Sequence, residues 1–281
     1  TKQTDANGDV SVTVQSGTAP TAVQINATLG TLVTQSNKLV ISTGRPAQKF
    51  FSLAAETLNV DGGNVDGVKT NLTVHASDRL GNLVPDGTTI NFIAEGGQIA
   101  SSDGSSSTCT ISAGACSVNL VSAAYRPVND TEPSGQVTRN RVTVLAYTLG
   151  EKNFVDSNGN NLYEAGEAFD DLGDVYIDNN ENGLWSSGEQ SISFNAANTQ
   201  ACKLSTGAVD ASQKPNTCSG DWGQAHVRKS MVIVFSGNVA NTASSRSLTM
   251  AGSCSKTIPL LLTDQYGNPL PAGSTLTISD N

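Results

Sequence analysis

Apolar and polar residues alternate along much of the chain, with a period of two that is typical of β-strands with one buried face. The alternating apolar positions include Val10, Val12 and Val14; Leu72 and Val74; Ile90 and Phe92; and Val142, Val144 and Ala146. Clusters of glycine, serine, asparagine and proline separate these runs, as in chains with many tight turns. Helical periodicity occurs only weakly, at residues 51–58. The pattern therefore predicts an all-β protein built from β-sandwiches.

The chain also repeats itself at long range. Residues 72–92, LTVHASDRLGNLVPDGTTINF, align with residues 258–278, IPLLLTDQYGNPLPAGSTLTI, at a constant offset of 186. The shared positions are, in the first copy, Asp78, Gly81, Asn82, Pro85, Gly87 and Thr89. Because Asp-x-x-Gly-Asn and Pro-x-Gly are turn-forming combinations, each copy predicts a strand, two turns and a second strand.

A second set of similarities joins the start of the chain to its middle. Residues 5–20 resemble residues 112–127, residues 25–30 resemble residues 144–150, and residues 36–44 resemble residues 228–237. The chain therefore opens with the second half of one unit and closes with the first half of another. We predict three units: a C-terminal half-domain at residues 1–46, a complete domain at residues 47–245, and an N-terminal half-domain at residues 246–281.

The complete domain contains a long insertion. In the opening half-domain only a short turn separates the Leu-Gly pair from the SNKLVIS strand, whereas residues 151–228 occupy the same place in the complete domain. We therefore expect residues 151–228 to lie between the last two strands of the sandwich, at the tip of the domain. Loops at such positions tolerate insertion and tend to carry function.

The repeated motifs resemble those of a known family. The Asp-x-x-Gly-Asn and Pro-x-Gly pattern at residues 78–92 and 264–278, the GxVxVxVxSG element at residues 8–17 and the closing SNKLVIS strand are similar to bacterial immunoglobulin-like (Ig-like) domains of invasin and intimin type. The resemblance covers roughly residues 1–150 and 229–281. It implies tandem Ig-like sandwiches that form rigid stalks on bacterial surfaces. The acidic insertion departs from the pattern, so no adhesive site is carried over.

Two twelve-residue loops in the insertion have the ligand spacing of an EF-hand calcium loop. They are DSNGNNLYEAGE, residues 156–167, and DNNENGLWSSGE, residues 178–189. The first would ligate Ca²⁺ through Asp156, Asn158, Asn160, the Leu162 carbonyl and Glu167. The second would use Asp178, Asn180, Asn182, the Leu184 carbonyl and Glu189. Position 6, where the chain turns sharply, is Asn161 in the first loop and Gly183 in the second.

The charge distribution supports two Ca²⁺ sites. Residues 151–190 contain ten acidic residues and one basic residue, a balance of −9 that equals the net charge of the whole chain. Without a cation these carboxylates would repel one another. The alternative is a solvated acidic loop, since charge runs often have no other role. Three further acids lie between the loops: Asp170, Asp171 and Asp174. They would either bridge the two ions or only add to the negative electrostatic potential around them.

The cysteines indicate an oxidising, extracellular setting. Cys109 and Cys116 flank a turn-forming stretch, and Cys202 and Cys218 bracket a loop, so each pair predicts a disulfide. No CxxC spacing suggests metal ligation. Cys254 is left over, and three possibilities stay open for it: a bond to a residue outside this chain, a bond to another molecule, or a free thiol.

Other classes of function have weaker signals. With only His75 and His226, and no phosphate loop, HExxH or GxSxG motif, the chain offers little for catalysis. A pI near 4.6 argues against nucleic-acid binding. No apolar run approaches the roughly 18 residues of a membrane helix. A carbohydrate-binding module stays an alternative, with Trp222 as its ligand platform; Tyr163 and Trp185, both at loop position 8, are interpreted as packing residues.

Together these features predict a non-enzymatic protein of the bacterial cell surface: a structural or adhesive stalk or fibre of Ig-like domains that calcium stabilises. Its expected partners are neighbouring Ig-like domains or identical subunits, and a host or cell-surface receptor or glycan. One alternative is an extracellular filament, in which the C-terminal half-domain of one subunit completes the N-terminal half-domain of the next. The simpler alternative is an array in which one polypeptide supplies both halves.

Overall fold

The computed structural model describes residues 1–15, 17, 20–128, 130–131, 137–242 and 261–277. In its N-terminal part lie β1 (Thr21–Val23), β2 (Asn26–Leu29), β3 (Leu32–Gln35) and β4 (Leu39–Ile41), followed by a 3-10 turn at Gln48–Phe50. The next strands are β5 (Phe51–Ala55), β6 (Asn59–Val60), β7 (Lys69–Ala76), β8 (Thr89–Ala94), β9 (Gln98–Ala100), β10 (Thr108–Thr110) and β11 (Ala115–Val121). They are followed by β12 (Asp130–Thr131), β13 (Val137–Thr138), β14 (Arg141–Glu151), β15 (Val175–Tyr176), β16 (Ser191–Ile192), β17 (Gln224–Phe235), β18 (Ala240–Thr242) and β19 (Leu262–Asp264).

The all-β prediction is confirmed, since the described residues contain strands and turns and no α-helix. The weak helical signal at residues 51–58 was wrong. Phe51–Ala55 instead forms β5, which pairs antiparallel with β7 in a register that places Phe51 opposite Ala76. Phe51 is buried by this pairing, so tertiary packing overrides the local periodicity.

Two sheets form a central β-sandwich. One sheet has five strands in the order β10-β8-β14-β17-β6, and the other has four in the order β5-β7-β11-β9. Alternate side chains of both sheets point inward and make one core. On the four-stranded side the core includes Leu72 and Val74 of β7 and Val118 and Leu120 of β11; on the five-stranded side it includes Ile90, Phe92, Val142, Val144, Ile233 and Phe235.

The insertion connects the two longest strands of the sandwich. β14 and β17 pair antiparallel without interruption from Arg141 opposite Val234 to Glu151 opposite Gln224, so residues 152–223 lie between them. This segment has little regular structure beyond the short pair β15 and β16. A loop closed by a disulfide between Cys202 and Cys218 follows that pair.

The insertion does not stand at the tip of the domain, as the sequence suggested, but covers the outer face of the five-stranded sheet. Leu145, on that face of β14, is buried together with Val175 and Ile177 of the insertion in a second, smaller core. Burying an aliphatic side chain of this size contributes roughly 1.5–3 kcal/mol. β14 is therefore buried on both faces, and the insertion belongs to the body of the domain.

Arg228 of β17 also ties the insertion to this face. Its Nη1 donates to the carbonyl oxygens of Gly173 at 3.0 Å and of His226 at 3.1 Å, and Nη2 donates to the side chain of Gln213. Burial lowers the pKa of this guanidinium to about 10, yet it stays charged at neutral pH. The arginine thus joins the sheet to two separate turns of the insertion.

The flanking segments have short strand pairs of their own. In the N-terminal segment β1 pairs with β4 and β2 with β3, and at the other end β18 pairs with β19. Val12 and Val14 are 62% and 54% exposed. When Ser11-Val12 is matched to Ser117-Val118, they align with Val118 and Leu120 of the central sandwich, which are 1% and 0% exposed. The same apolar pattern is thus buried in the sandwich and open in the N-terminal segment.

The repeated motif adopts the same conformation in both copies. The main chain closes with Asp78 N–H donating to the Asn82 carbonyl oxygen at 2.8 Å, and Asp264 N–H donating to that of Asn268 at 2.8 Å. Gly81 and Gly267, the equivalent glycines, have φ of 80° and 87°, a left-handed conformation that glycine adopts without steric cost. The Asp-x-x-Gly-Asn turn therefore repeats in the structure as well as in the sequence, whereas residues 275–277, which align with the start of β8, form no strand.

Candidate metal centres in the insertion

The two candidate calcium loops have the same backbone conformation. Counting Asp156 and Asp178 as position 1, left-handed residues occur at positions 4, 6 and 11 of both loops. They are Gly159, Asn161 and Gly166 in the first loop and Glu181, Gly183 and Gly188 in the second. Asn161, at position 6, has φ of 62°, so asparagine adopts the turn that glycine makes in the second loop. Equal spacing in the sequence therefore produces equal geometry.

The position 1 aspartates organise each turn. Asp156 accepts hydrogen bonds from Gly159 N–H and Asn161 N–H, both at 2.7 Å. Asp178 accepts from Asn182 N–H at 3.1 Å and Gly183 N–H at 2.7 Å. These donors lower the pKa of Asp156, with Asn161 N–H making the largest contribution. The carboxylate is therefore held ionised, as a metal ligand must be.

The side chains at positions 3 and 5 converge on position 9. In the first loop Asn158 Nδ2 donates to Glu164 Oε2 at 2.7 Å, and Asn160 Nδ2 donates to the other carboxylate oxygen. In the second loop Asn180 and Asn182 donate to Ser186 Oγ at 3.0 and 3.1 Å. Glu164 and Ser186 were missed as site residues. The signal that identifies them is the same loop spacing, in which position 9 supplies an oxygen directly or through water.

The position 12 glutamates close the loops. Glu167 accepts from Ser157 N–H at 2.8 Å and Glu164 N–H at 3.0 Å, and these donors lower its pKa. Glu189 accepts from Ser186 N–H at 2.7 Å through Oε2. The predicted side-chain ligands at positions 1, 3, 5 and 12 thus each form hydrogen bonds within their own loop. Position 7 is Leu162 in the first loop and Leu184 in the second. Their N–H groups donate to the side-chain oxygens of Asn160 and Asn182, each at 2.7 Å.

Glu189 differs from its counterpart in one respect. Its side chain is 8% exposed, and its Oε1 is buried without a hydrogen-bond partner. Burial raises the pKa of this carboxyl, and the nearby Asp178 carboxylate acts in the same direction, while the N–H groups of Ser186 and Asn179 oppose them. A buried carboxylate oxygen without a donor is costly. The second loop therefore has a buried carboxylate whose charged form is disfavoured, beside a second acid.

Each loop is attached to the sandwich by an arginine. Arg79 donates to the Asn161 carbonyl oxygen at 2.5 Å and forms an ion pair with Glu151 at 2.7 Å. Arg141, at the start of β14, makes two hydrogen bonds to the Glu181 carboxylate, with Nε at 2.7 Å and Nη2 at 2.5 Å. Position 1 of the second loop is held as well, because Thr143 Oγ1 donates to the Asp178 carbonyl oxygen at 2.9 Å.

The acids between the loops are used within the insertion. Asp171 forms a buried ion pair with Lys152 at 2.6 Å, and Asp174 lies 3.5 Å from the Lys214 ammonium. Asp170 accepts from Ser205 N–H at 2.8 Å. Their partners are lysines and backbone amides, so these three residues support the fold of the insertion rather than either loop.

Both predicted disulfides are formed. Cys109 and Cys116 are joined with their Cα atoms 5.8 Å apart, and Cys202 and Cys218 with theirs 5.1 Å apart. Cys254 lies outside the described residues. The second bond precedes residues that contact Lys152, since Lys152 Nζ donates to Ser219 Oγ at 2.6 Å and the Asp221 carbonyl oxygen at 2.7 Å, just after Cys218.

Trp222 has the contacts of a packing residue. Tyr163 stacks on its indole ring with a centroid distance of 4.7 Å, and Phe154 packs edge-on against it at 5.4 Å. Its Nε1 donates to the Lys152 carbonyl oxygen at 2.9 Å. Trp222 is half-buried, so its ring packs against the protein and is also partly open to solvent.

Within the part of the chain that the structure describes, no three His, Cys, Asp or Glu side chains come together to hold a metal ion. The candidate loops depend instead on asparagine and main-chain oxygens alongside their carboxylates, which is ordinary for Ca²⁺. No described helix is long and apolar enough to span a membrane. No protein-family model matches the chain, and neither the curated proteins nor the solved structures contain a match.

Proposed function

We propose that this chain is a non-enzymatic structural or adhesive protein of the bacterial cell surface, in which tandem Ig-like sandwiches are stiffened by two Ca²⁺ ions. Three features support the proposal. They are the motif repeated in the sequence, whose turn has the same geometry in both copies, the central sandwich, and the two disulfides, which form in oxidising compartments. The Ig-like assignment derives from the sequence motifs. The mechanism is mechanical: rigid repeats hold a binding partner away from the cell.

The observation that carries the calcium assignment is the buried Glu189 Oε1, which has no hydrogen-bond partner. A Ca²⁺ ion in the second loop would neutralise this oxygen and Asp178 together. The ligands would be Asp178, Asn180, Asn182, the Leu184 carbonyl and Glu189, with Ser186 at position 9. The first loop would use Asp156, Asn158, Asn160, the Leu162 carbonyl and Glu167, with Glu164 added. Extracellular Ca²⁺ sites of this kind bind with Kd of about 10⁻⁴ to 10⁻³ M.

Calcium binding would stabilise the insertion and the sheet that it covers. Binding at about tenfold above Kd adds roughly 1.4 kcal/mol per site to the free energy of unfolding. Because Arg141 and Thr143 attach the second loop to β14, ordering of that loop is transmitted to the five-stranded sheet. In the first loop Arg79 transmits it to the repeated turn motif.

Calorimetric titration tests the assignment. The unmodified chain should bind two equivalents of Ca²⁺, Glu189→Ala and Glu167→Ala one each, and the double variant none, because the bidentate ligand at position 12 closes each site. Glu56→Ala, an exposed glutamate on the central sandwich, is the matched control and should keep both equivalents. An unchanged stoichiometry in Glu189→Ala would contradict the assignment of the second site. Heats that do not saturate in the unmodified chain would contradict both assignments.

A second candidate function is self-assembly into a filament, and the exposure of Val12 and Val14 favours it. In the central sandwich the aligned Val118 and Leu120 share one core with Leu72, Val74, Ile90 and Phe92, which belong to the segment that residues 258–278 resemble. The C-terminal segment of a second copy therefore carries the sequence needed to cover Val12 and Val14. A neighbouring repeat of the same polypeptide would cover these valines with similar residues. The two cases differ in molar mass, which grows only if separate copies assemble.

A further inference from the structure

The two carboxylate oxygens of the aspartate in the repeated Asp-x-x-Gly-Asn turn accept from different main-chain donors. In both copies Oδ1 serves the turn itself. Asp78 Oδ1 accepts from Leu80 N–H at 2.9 Å and Asn82 N–H at 2.8 Å, and Asp264 Oδ1 accepts from Tyr266 N–H and Asn268 N–H at 2.8 Å each. Both aspartates are completely buried. In the first copy Asn82 Nδ2 also donates to Asp78 Oδ2 at 3.1 Å, so there the second oxygen takes part in the turn as well.

The second oxygen reaches across to the preceding unit. Asp78 Oδ2 accepts from Thr43 N–H at 2.9 Å, and Asp264 Oδ2 accepts from Gly237 N–H at 2.6 Å. The donors lie at the ends of two similar segments. Thr43 is the residue before the final glycine of SNKLVISTG, and Gly237 is the final glycine of RKSMVIVFSG. The same acceptor thus meets the same part of the preceding unit at two places 186 residues apart.

We infer that the Asp-x-x-Gly-Asn turn is a latch between consecutive repeats, in which one carboxylate oxygen shapes the turn and the other holds the main chain that leaves the preceding repeat. A hydrogen bond to a buried carboxylate is stronger than a neutral one. Because the donor is a main-chain N–H, the latch accepts a preceding unit of almost any sequence, and the aspartate is the residue on which it depends.

Further contacts surround the latch at the C-terminal joint. Val239 N–H donates to Gln265 Oε1 at 3.2 Å, and Asn268 Nδ2 donates to the Arg139 carbonyl oxygen at 2.7 Å. Tyr266 donates its hydroxyl to Asn64 Oδ1 at 2.8 Å. The turn therefore rests on the end of the central sandwich at several points, and the latch sits at the buried centre of that contact.

The N-terminal joint also includes the first candidate calcium loop. Arg79, the residue after the latch aspartate, donates to the Asn161 carbonyl oxygen at 2.5 Å, and Asn161 Nδ2 lies 3.5 Å from the Pro20 carbonyl oxygen. The loop thus contacts both sides of this joint. The latch itself needs no cation, and it rests on the proposed function only in treating the flanking segments as neighbouring repeats.

Hydrogen exchange of single amides tests the latch. Asp78→Asn and Asp264→Asn keep one carbonyl oxygen for the turn but place an NH₂ group opposite the amide of the preceding unit. Exchange of Thr43 N–H should become about 10- to 100-fold faster in Asp78→Asn, with Gly237 N–H unchanged, and the reverse in Asp264→Asn, the factor expected for loss of a hydrogen bond to a charged group. Asp86→Asn, an exposed aspartate with the same charge change, should alter neither.

Two results would overturn the inference. One is a Gly237 or Thr43 amide that exchanges freely in the unmodified chain, a measurement that needs no variant. The other is a variant in which β7 and β14 exchange as fast as the joint amide, since the aspartate would then only support the fold. Repeating the series with calcium and after chelation separates the outcomes, because loss of calcium binding alone leaves the joint amides protected.

Discussion

Carboxylates of one acidic segment have different roles according to what surrounds each of them. Glu151, Asp171 and Glu181 form ion pairs with arginine or lysine side chains. Asp156 accepts backbone N–H donors, and Glu189 is buried beside Asp178 with an Oε1 that has no hydrogen-bond partner. Counting charges along the sequence identifies the segment as acidic. It cannot distinguish acids that a nearby base already neutralises from those that still need a cation.

His226 should make stability depend on pH. Its ring lies between Tyr147 and Phe194 with centroids 5.2 and 5.3 Å away, and its Nδ1 is buried without a partner. Burial lowers its pKa from 6.5, Arg228 acts in the same direction and Asp174 opposes them. Between about pH 6.5 and the lower folded value the unfolded chain binds more protons, so stability falls as the pH drops through this range.

The urea midpoint measured between pH 7.5 and pH 5 checks this expectation. His226→Phe should flatten the acid slope, because the folded and unfolded states then no longer differ at this position. His75→Gln, which changes an exposed histidine, should keep the wild-type profile. An unchanged slope in His226→Phe would show that another group causes the acid sensitivity.

At the scale of elements, β14 is the centre of the structure because both of its faces are buried. Val144 points into the main core and Leu145 into the second core beneath the insertion. Strand alternation predicted the first face correctly. It missed the second, because a strand buried on both faces loses the alternation that marks a solvent-exposed side.

The two cores should respond differently to the same substitution. Leu145→Ala should cost about 2–5 kcal/mol, the usual range for a buried leucine, and should raise amide exchange at β15 and β16 more than at β7. Leu120→Ala, in the main core, should raise exchange in all of these strands together. Equal effects of the two variants on β7 would mean that the insertion and the sandwich unfold as one unit.

At the scale of the whole molecule, the exposed apolar side chains of the N-terminal segment can be covered by a neighbouring repeat or by a second copy. The array proposal predicts a monomer of 29.0 kDa by light scattering, both in millimolar calcium and after chelation. The filament alternative predicts a mass that grows with concentration. Dissolution of such polymers by chelation would place calcium at the joint between subunits.

Charge substitutions identify the surface involved if polymers form. Val12→Asp together with Val14→Asp should return the chain to a monomer, because strand addition would then bury two carboxylates. Val209→Asp is the matched control, as this valine of the insertion is 66% exposed and away from the N-terminal segment. Polymers that survive the double substitution would exclude this surface.

Much of the protein follows from the sequence alone. Alternation predicted β7, β8 and β14 correctly, but the alternating run at residues 10–14 forms no strand. The turn residues predicted the repeated turn, and cysteine spacing predicted both disulfides. The loop spacing predicted the left-handed turn at Asn161 and Gly183. These features are local, so the residues that specify them are neighbours along the chain.

The tertiary structure decided the rest. It laid the insertion over the outer face of the five-stranded sheet, left Glu189 Oε1 buried without a partner, stacked Trp222 on Tyr163, and gave the second oxygens of Asp78 and Asp264 to the preceding units. Each of these outcomes joins residues far apart in sequence. Local propensity has no information on such contacts, because burial and the choice of hydrogen-bond partner are settled only when the sheets pack.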